Sequence, residues 1–127
     1  MIKKYLKQQN KNKNMIKNIT KNKILAKNKR FLNTEFQKFM GVMFAKKLNK
    51  GLIFVFRKEK LISLHMFFVF YPIDALFLDK KKKVVQLKES FKPFRALISK
   101  KPAKYVLELP EGTIKKSKTA VGDRIGF

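Results

Sequence analysis

The sequence of 127 residues predicts a mainly β fold, a compact β sandwich or partly open barrel with one or two short helices. One observation behind this prediction is a set of short apolar runs of strand length, rich in β-branched and aromatic residues. Another is a turn signal about every ten residues, usually a glycine, a proline or a polar cluster. The chain is long enough for one domain with its own core, and the absence of cysteine excludes disulfides and zinc–thiolate sites.

The composition divides the chain into two parts. Residues 1–14 are polar and basic with scattered apolar side chains, and we expect them to form a disordered basic N-terminal extension. They lack the apolar run of a secretory signal peptide. Residues 15–127 are predicted to form a single β-rich domain, which begins with a strand or hairpin over Ile16–Ala26 that turns at Thr20–Lys23.

The remaining elements follow from local patterns. Thr34 and Gln37 have the spacing of a capping box, which predicts a short helix over residues 35–42. Apolar runs predict further strands at Gly51–Phe56, Ile62–Tyr71, Ile73–Leu78, Val84–Leu87, Tyr105–Leu109 and Arg124–Phe127. The segments between them are predicted connections: residues 57–60, the turn at 79–83, the irregular stretch 89–104 and the short polar segment Ile114–Ser117.

The stretch ISLHMFFVFYPIDALFLD, residues 62–79, holds a dense aromatic run and the chain's one histidine. It has the length of a membrane span, but Asp74 would cost about 2.5–3.5 kcal/mol near the middle of a spanning helix, and Pro72 would break that helix. We therefore predict two consecutive strands and no membrane partner. On the first strand one face is apolar and belongs in the core, whereas the mixed face with Ser63 and His65 either lines a pocket or is half-exposed.

Six side chains on this stretch and on later elements are candidates for ligand binding. The candidates are His65, Asp74, Phe94, Arg95, Tyr105 and Glu108. His65 titrates near neutrality, although a single histidine without a nucleophile beside it is more often structural. Asp74 either contacts a ligand or, if it is buried, accepts backbone N–H groups.

Two further patterns leave alternatives open. Glu108 shares a strand face with Val106, so it is either a buried acid or an edge residue paired with lysine. The segment KPFR, residues 92–95, places two cations beside an aromatic ring in a proline-bent loop. Such a loop can hold an anion, or it can simply be solvated.

No catalytic motif is present in the sequence: GxGxxG, the P-loop, GxSxG and HExxH are all missing. One histidine and no cysteine offer few ligands for a transition metal, so we expect no metal and no cofactor. The leading hypothesis is a non-catalytic binding module of unknown ligand. A small-molecule enzyme using His65, Asp74 or Glu108 is kept as a weaker alternative, since neither a nucleophile–base pair nor an oxyanion hole accompanies them.

The formal net charge is +24, from 28 lysines and 4 arginines against 8 acidic residues. One explanation is an AT-rich genome, which enriches lysine and asparagine together without any function. The other is weak, non-specific nucleic-acid binding, because residues 1–30 hold 11 cations and no acid. The scarcity of arginine argues against base-edge reading. We expect a cytoplasmic monomer.

The order of several phrases carries a family resemblance. FMGVMFAKKL, GLIFVF, HMFFVFYPIDALFLDKKKKVVQLKESFKPFR and AKYVLELPEGTIKKSKTAVGDRIGF follow one another without large gaps. Together they resemble the Domain of Unknown Function 192 family, especially its archaeal versions, from about Met15 to Phe127. The resemblance implies a compact, mostly β domain with a short early helix, and it implies no activity. Many relatives carry a tryptophan in place of His65 and a lysine–asparagine pair in place of Phe67 and Phe68, so this chain departs from the family there.

Overall fold

The structure of the protein is a computed structural model that describes residues 2–4, 7, 13–34, 48–66 and 69–127. The described strands are β1 (Ile16–Asn18), β2 (Lys23–Ala26), β3 (Lys29–Leu32), β4 (Gly51–Lys60), β5 (Ser63–His65), β6 (Ile73–Leu78), β7 (Val84–Phe91), β8 (Ala96–Ile98), β9 (Ala103–Pro110) and β10 (Ile125–Gly126). One short helix, α1 (Thr113–Ser117), lies between β9 and β10. The mainly β class predicted from the sequence is therefore confirmed.

The strands form three sheets, each open at both edges. The largest has the order β3-β4-β9-β6-β7, with β3 parallel to β4 and every other pair antiparallel. A three-stranded sheet has the order β10-β1-β2, and β5 pairs with β8 in a two-stranded sheet. An isolated bridge between Lys83 and Arg124 links the turn before β7 to the start of β10.

The five-stranded sheet is buried on both faces, which is why its central strands read as continuous apolar runs. All six residues of β6 are buried. On one face, Ala75 and Phe77 join a core that includes residues of β5 and β9. On the other face, Leu76 and Leu78 join a second core with Ile16 of β1 and residues of β10 and α1.

A buried polar cluster ties the first strand to the residues just before the last one. Asn18 Nδ2 donates hydrogen bonds to Thr119 Oγ1 at 3.0 Å and to Asp123 Oδ2 at 2.9 Å. The same Asp123 oxygen accepts bonds from Lys21 Nζ at 2.9 Å and Ala120 N at 3.0 Å. Burial alone would raise the pKa of Asp123, but these hydrogen bonds and the charge of Lys21 hold it below its ordinary value. The cluster therefore holds an ionised carboxylate between β1 and β10.

The predicted strand over Ile62–Tyr71 is wrong in its length. Regular pairing ends at His65, and the partner strand is β8, which lies in the stretch that was expected to be irregular. The expected alternation also breaks, because Phe70 is exposed while Val69 is buried. Val69 N donates a hydrogen bond to Met66 O, a contact that a continuous strand would not make. The second strand, Ile73–Leu78, is confirmed.

Other differences come from strands that are more polar than the apolar patterns suggested. Residues 57–60 continue β4 instead of forming a connection, and β7 runs on past Leu87 to Phe91. The strand β3 was not predicted, and the polar segment after Gly112 is helical. The hairpin of β1 and β2 is confirmed. The predicted helix over residues 35–42 lies outside the described residues. In the described part of the chain, no helix is both long and apolar enough to cross a membrane.

Gly51, at the start of β4, lies where two packed layers touch. A Cβ atom built on it would collide with Cδ1 of Ile16 and would lie 3.2 Å from Cβ of Ala26 and 3.3 Å from Cδ2 of Leu109. Ile16 is fully buried and cannot swing into solvent. The glycine therefore allows β1 and β2 to approach the central sheet.

We predict that Gly51→Ala lowers the free energy of unfolding by about 1–3 kcal/mol, because the added methyl group overpacks this contact. Urea unfolding followed by circular dichroism measures the loss. The neighbouring substitution Lys50→Ala, at an exposed position, is the control and should change stability by less than about 0.5 kcal/mol. Equal stability of the two variants would contradict the packing argument.

Candidate functional site

Asp74 holds three parts of the structure together. Its side chain is buried on β6, where Oδ1 accepts a hydrogen bond from Ser90 N at 3.0 Å and Oδ2 accepts one from Ile114 N at 2.8 Å. Ser90 lies in a bulge of β7 with a φ of 49°, and Ile114 lies in the first turn of α1. Both carboxylate oxygens are thus occupied by backbone N–H groups, the structural alternative that the sequence allowed for Asp74.

Glu108 is a buried acid on the central strand β9. It pairs across the sheet with Leu52 of β4 and Ala75 of β6. Burial raises the pKa of Glu108 to about 8, and its Oε2 makes no hydrogen bond to any described residue. The hydroxyl of Tyr71 is also buried without such a bond, and burial followed by the charge of Glu108 raises the pKa of Tyr71. The carboxyl group is therefore protonated in the folded protein at neutral pH.

A cleft lined by cations lies between the end of β7 and the start of β8, and we call it the cation cleft. Its volume is about 270 Å³. The cation cleft is lined by Lys88, Ser90, Phe91, Lys92, Arg95 and Leu97, together with Ala96 between them. Three of these residues carry a positive charge, and none is acidic. Phe91 is buried and gives the cleft an apolar base.

The backbone fixes both ends of the loop that carries these cations. Ser90, at one end, has a positive φ and is tied to Asp74. Phe94, near the other end, has a φ of 59°, and its N–H donates to Met66 O at 2.9 Å. Met66 N in turn donates to Arg95 O at 2.8 Å. Positive φ costs energy for residues other than glycine, so these hydrogen bonds are what hold the loop in shape.

Beside the cation cleft lies an exposed aromatic pair. The rings of Phe70 and Phe94 meet edge to face with centroids 5.7 Å apart, and both are more than half exposed. His65 is half-buried on the nearby β5, opposite Ala96 of β8. Ser63 is exposed on the same strand, whereas Tyr71 reaches into the interior. The mixed face proposed for this stretch is thus divided between surface and core.

A second concave surface, which we call the aromatic groove, lies on the β1–β10 side of the molecule. Its volume is about 520 Å³. The aromatic groove is lined by Lys13, Met15, Lys17, Ile19, Lys29 and Phe127, with Gly126 at its base. Tyr105 belongs to this side, because its ring packs edge to face on Phe127 with centroids 5.2 Å apart.

The six candidate residues consequently occupy different environments. Arg95 lines the cation cleft, and Phe94 precedes it in the same loop with its ring exposed. His65 is half-buried on β5, and Tyr105 packs on Phe127 of the aromatic groove. Asp74 and Glu108 are interior residues of the central sheet. Sequence reasoning omitted Lys88 from the cleft, because the apolar run ends at Leu87 and only the full length of β7 includes Lys88. Among the described residues, no group of three histidine or acidic side chains is placed to hold a metal ion.

By its architecture the protein is a small β-rich domain built on open sheets. A Sinorhizobium meliloti protein described as a candidate transcription regulator has a similar structure, with a TM-score of 0.78 and 23% identity over 88% of this chain and 89% of that one. A protein of unknown function from Novosphingobium aromaticivorans is similar at a TM-score of 0.78 and 19% identity, over 89% and 82% of the two chains. At these identities the likeness concerns the fold alone.

The chain belongs to the DUF192 family (Uncharacterized ACR), whose profile matches residues 16–127. Its archaeal relatives include a UPF0127 protein of Thermococcus sibiricus, 36% identical over 89% of this chain and 74% of the relative. A UPF0127 protein of Pyrococcus furiosus is 40% identical over 85% of this chain and 93% of the relative. The family resemblance seen in the sequence is therefore confirmed.

We predict that Asp74→Asn lowers the free energy of unfolding by about 2–3 kcal/mol. An asparagine has one acceptor oxygen, so either Ser90 N or Ile114 N would face an amide donor. Asp79→Asn is a matched control, because a single Asp79 oxygen accepts both of its bonds, from Lys81 N and Lys83 N, and asparagine keeps that oxygen. Chemical denaturation of both variants makes the comparison, and an equally small loss in each would refute the role given to Asp74.

The buried acid predicts a pH dependence of stability. The unfolded state loses the Glu108 proton near the ordinary pKa of 4.5, but the folded state keeps it up to about 8. Stability should therefore fall between these values as pH rises, by up to about 1.4 kcal/mol per pH unit, and level off above. Glu108→Gln, which resembles the protonated acid, should remove this slope.

Unfolding free energies of the parent and Glu108→Gln, measured across this pH range, give the difference in slope directly. Glu111→Gln is the control, because Glu111 is exposed and its replacement should leave the slope unchanged. A parent protein whose stability profile runs parallel to that of Glu108→Gln would show that the carboxyl group is already ionised in the folded state.

Proposed function

We propose that the protein is a non-catalytic binding module and that the cation cleft is its ligand site, which takes a small molecule bearing an anionic group. The observation that carries this proposal is that Lys88, Lys92 and Arg95 line one cleft, with no carboxylate among the described residues of its lining. Three positive charges close together repel one another, and a bound anion relieves that repulsion. Arg95 adds a planar fork suited to a carboxylate or phosphate.

The size and lining of the cleft restrict the ligand further. A volume of about 270 Å³ lies near the lower end for small-molecule sites and accommodates an anionic group with a compact body. The partly exposed side chain of Leu97 favours a body that is not fully polar. Binding, and not catalysis, is favoured because the lining residues that the structure describes include neither a histidine nor a carboxylate that could act as a general base.

The rigidity of the loop supports binding to a preformed site. The hydrogen bonds from Phe94 N and Met66 N fix the backbone on either side of Arg95, and the Asp74 carboxylate fixes Ser90. The conformational entropy of the loop is therefore lost on folding, and ligand binding does not have to order it.

We predict that inorganic phosphate and citrate bind in this cleft with dissociation constants of about 1 mM or tighter at low salt. The measurement is a titration followed by amide NMR shifts, which report binding and its location together. A triple variant with Lys88→Gln, Lys92→Gln and Arg95→Gln should bind at least about tenfold more weakly, a loss of about 1.4 kcal/mol.

The control variant removes the same charge elsewhere, through Arg57→Gln, Lys58→Gln and Lys115→Gln, which are all at exposed positions outside the cleft. It should bind the anions within about threefold of the parent, since distant surface charges are largely screened. If the two triple variants bind equally, the positive charge of the protein acts without a site and the proposal is refuted.

A further inference from the structure

The aromatic groove combines two features on one surface, and the cation cleft shares neither its residues nor its side of the sheet. The first feature is an array of rings. Phe31, on the edge strand β3, packs against Phe127 with centroids 6.1 Å apart at an interplanar angle of 54°. Tyr105 packs against the same ring. Phe31 keeps 41% of its surface exposed, so it presents an aromatic surface to solvent.

The second feature is a set of lysines placed around these rings. Lys29 Nζ lies 5.5 Å from the centroid of the Phe31 ring, and Lys82 Nζ lies 4.1 Å from that of Phe127. The lysines at positions 13 and 17 line the groove beside them. Within the described part of the chain, none of the residues that line the groove is acidic. Phe31 and Lys82 adjoin the groove through residues that line it: Phe31 contacts Phe127 and Lys29, and Lys82 contacts Phe127.

The position of Lys82 results from a specific turn. Asp79 Oδ1 accepts hydrogen bonds from the N–H groups of Lys81 and Lys83, which closes the turn of the DKKKK segment. Lys82 then adopts a φ of 63°, and its carbonyl accepts a bond from Ile125 N. The run of lysines in the sequence is thus a structured turn that fixes one cation over the ring of Phe127.

The lysines are close enough to affect one another. Burial, and secondly the charge of Lys82, lowers the pKa of Lys29. An anion placed between the two would lower their repulsion and stabilise the charged form of each. A phosphate diester supplies such an anion at regular spacing along a chain.

We propose that the aromatic groove binds single-stranded nucleic acid, with phosphates on its lysines and a base stacked on the ring of Phe31, which adjoins the groove beside Phe127 and Lys29. Stacking on aromatic rings inside a basic groove is how proteins hold single strands without reading sequence, because every base has a π face. A duplex hides those faces, so single strands should be preferred. The described lining has lysines and no arginine, and lysines fit phosphate contacts better than base-edge reading.

The test is fluorescence anisotropy with labelled oligothymidine and oligouridine of about 12 nucleotides, a duplex of the same length, and heparin as a polyanion without bases. The full chain and its variants are titrated at about 50 mM and about 200 mM salt. The stacking variant is Phe31→Leu, which keeps an apolar side chain on β3. Its control is Phe70→Leu, which removes an exposed ring from the other surface.

We expect the parent to bind at least one of the two single strands at least about tenfold more tightly than it binds the duplex or heparin. Phe31→Leu should weaken that binding about tenfold, and Phe70→Leu should leave it unchanged. A variant with Lys17→Gln and Lys29→Gln should bind more weakly and show a shallower salt dependence than one with Lys100→Gln and Lys101→Gln, which lie outside the groove lining. Thermal melting of each variant verifies that it is folded.

Three results would overturn the proposal: no binding at low salt, equal binding of heparin and the single strands, or equal affinity of the Phe31→Leu and Phe70→Leu variants. Tighter binding of either oligothymidine or oligouridine supports the site. Tighter binding of oligothymidine indicates DNA as the natural strand, and tighter binding of oligouridine indicates RNA. The triple variant with Lys88→Gln, Lys92→Gln and Arg95→Gln leaves the groove unchanged. Its affinity for the single strand should therefore lie within about threefold of that of the control with Arg57→Gln, Lys58→Gln and Lys115→Gln.

Discussion

The rest of the structure depends on one constraint, a five-stranded sheet that must be covered on both faces. Because β6 is buried along its whole length, neither of its faces can be left to solvent. The first core is closed in part by β5 and the residues that follow it, and the second is closed by β1, β10 and α1. Both concave surfaces arise where these covering elements meet the edges of the sheet. The cation cleft adjoins β7, and the aromatic groove adjoins β3.

Asp74 and Glu108 are buried carboxyl groups on the neighbouring strands β6 and β9, and they have different roles because their hydrogen-bond partners differ. Asp74 receives two backbone N–H groups, and the resulting bonds anchor the bulge of β7 and the start of α1. Glu108 lacks a hydrogen bond from Oε2 to any described residue, and burial raises its pKa so that it retains its proton at neutral pH. The first group thereby organises the loop of the cation cleft. The second makes the central sheet sensitive to pH through the cost of its own ionisation.

The sequence was sufficient where one physical signal dominated. The fully buried strand Ile73–Leu78 has a continuous apolar run, and the DKKKK turn has an aspartate at the position that accepts backbone N–H groups. Short strands such as β3 and β8 were missed because four or three residues show no measurable periodicity, and their pairing is decided by distant partners. The cation cleft was found only in part for the same reason: Arg95 stood in a suggestive loop, but Lys88 comes from a strand whose length tertiary pairing sets.

The pairing of β1 with β10 has a consequence for how the protein is made. Asn18 contacts Asp123 across 105 positions of sequence, and Lys17 and Asn18 pair with Gly126 and Ile125. The ribosome therefore releases β1 long before β10 has been synthesised. Ile16, which is fully buried in the folded protein, stays exposed to solvent during that time. Contacts of such long range also slow folding, because the entropy of closing the loop is lost before the contacts form. During synthesis the unpaired edge of β1 is exposed to chaperones and to other nascent chains until β10 emerges and pairs with it.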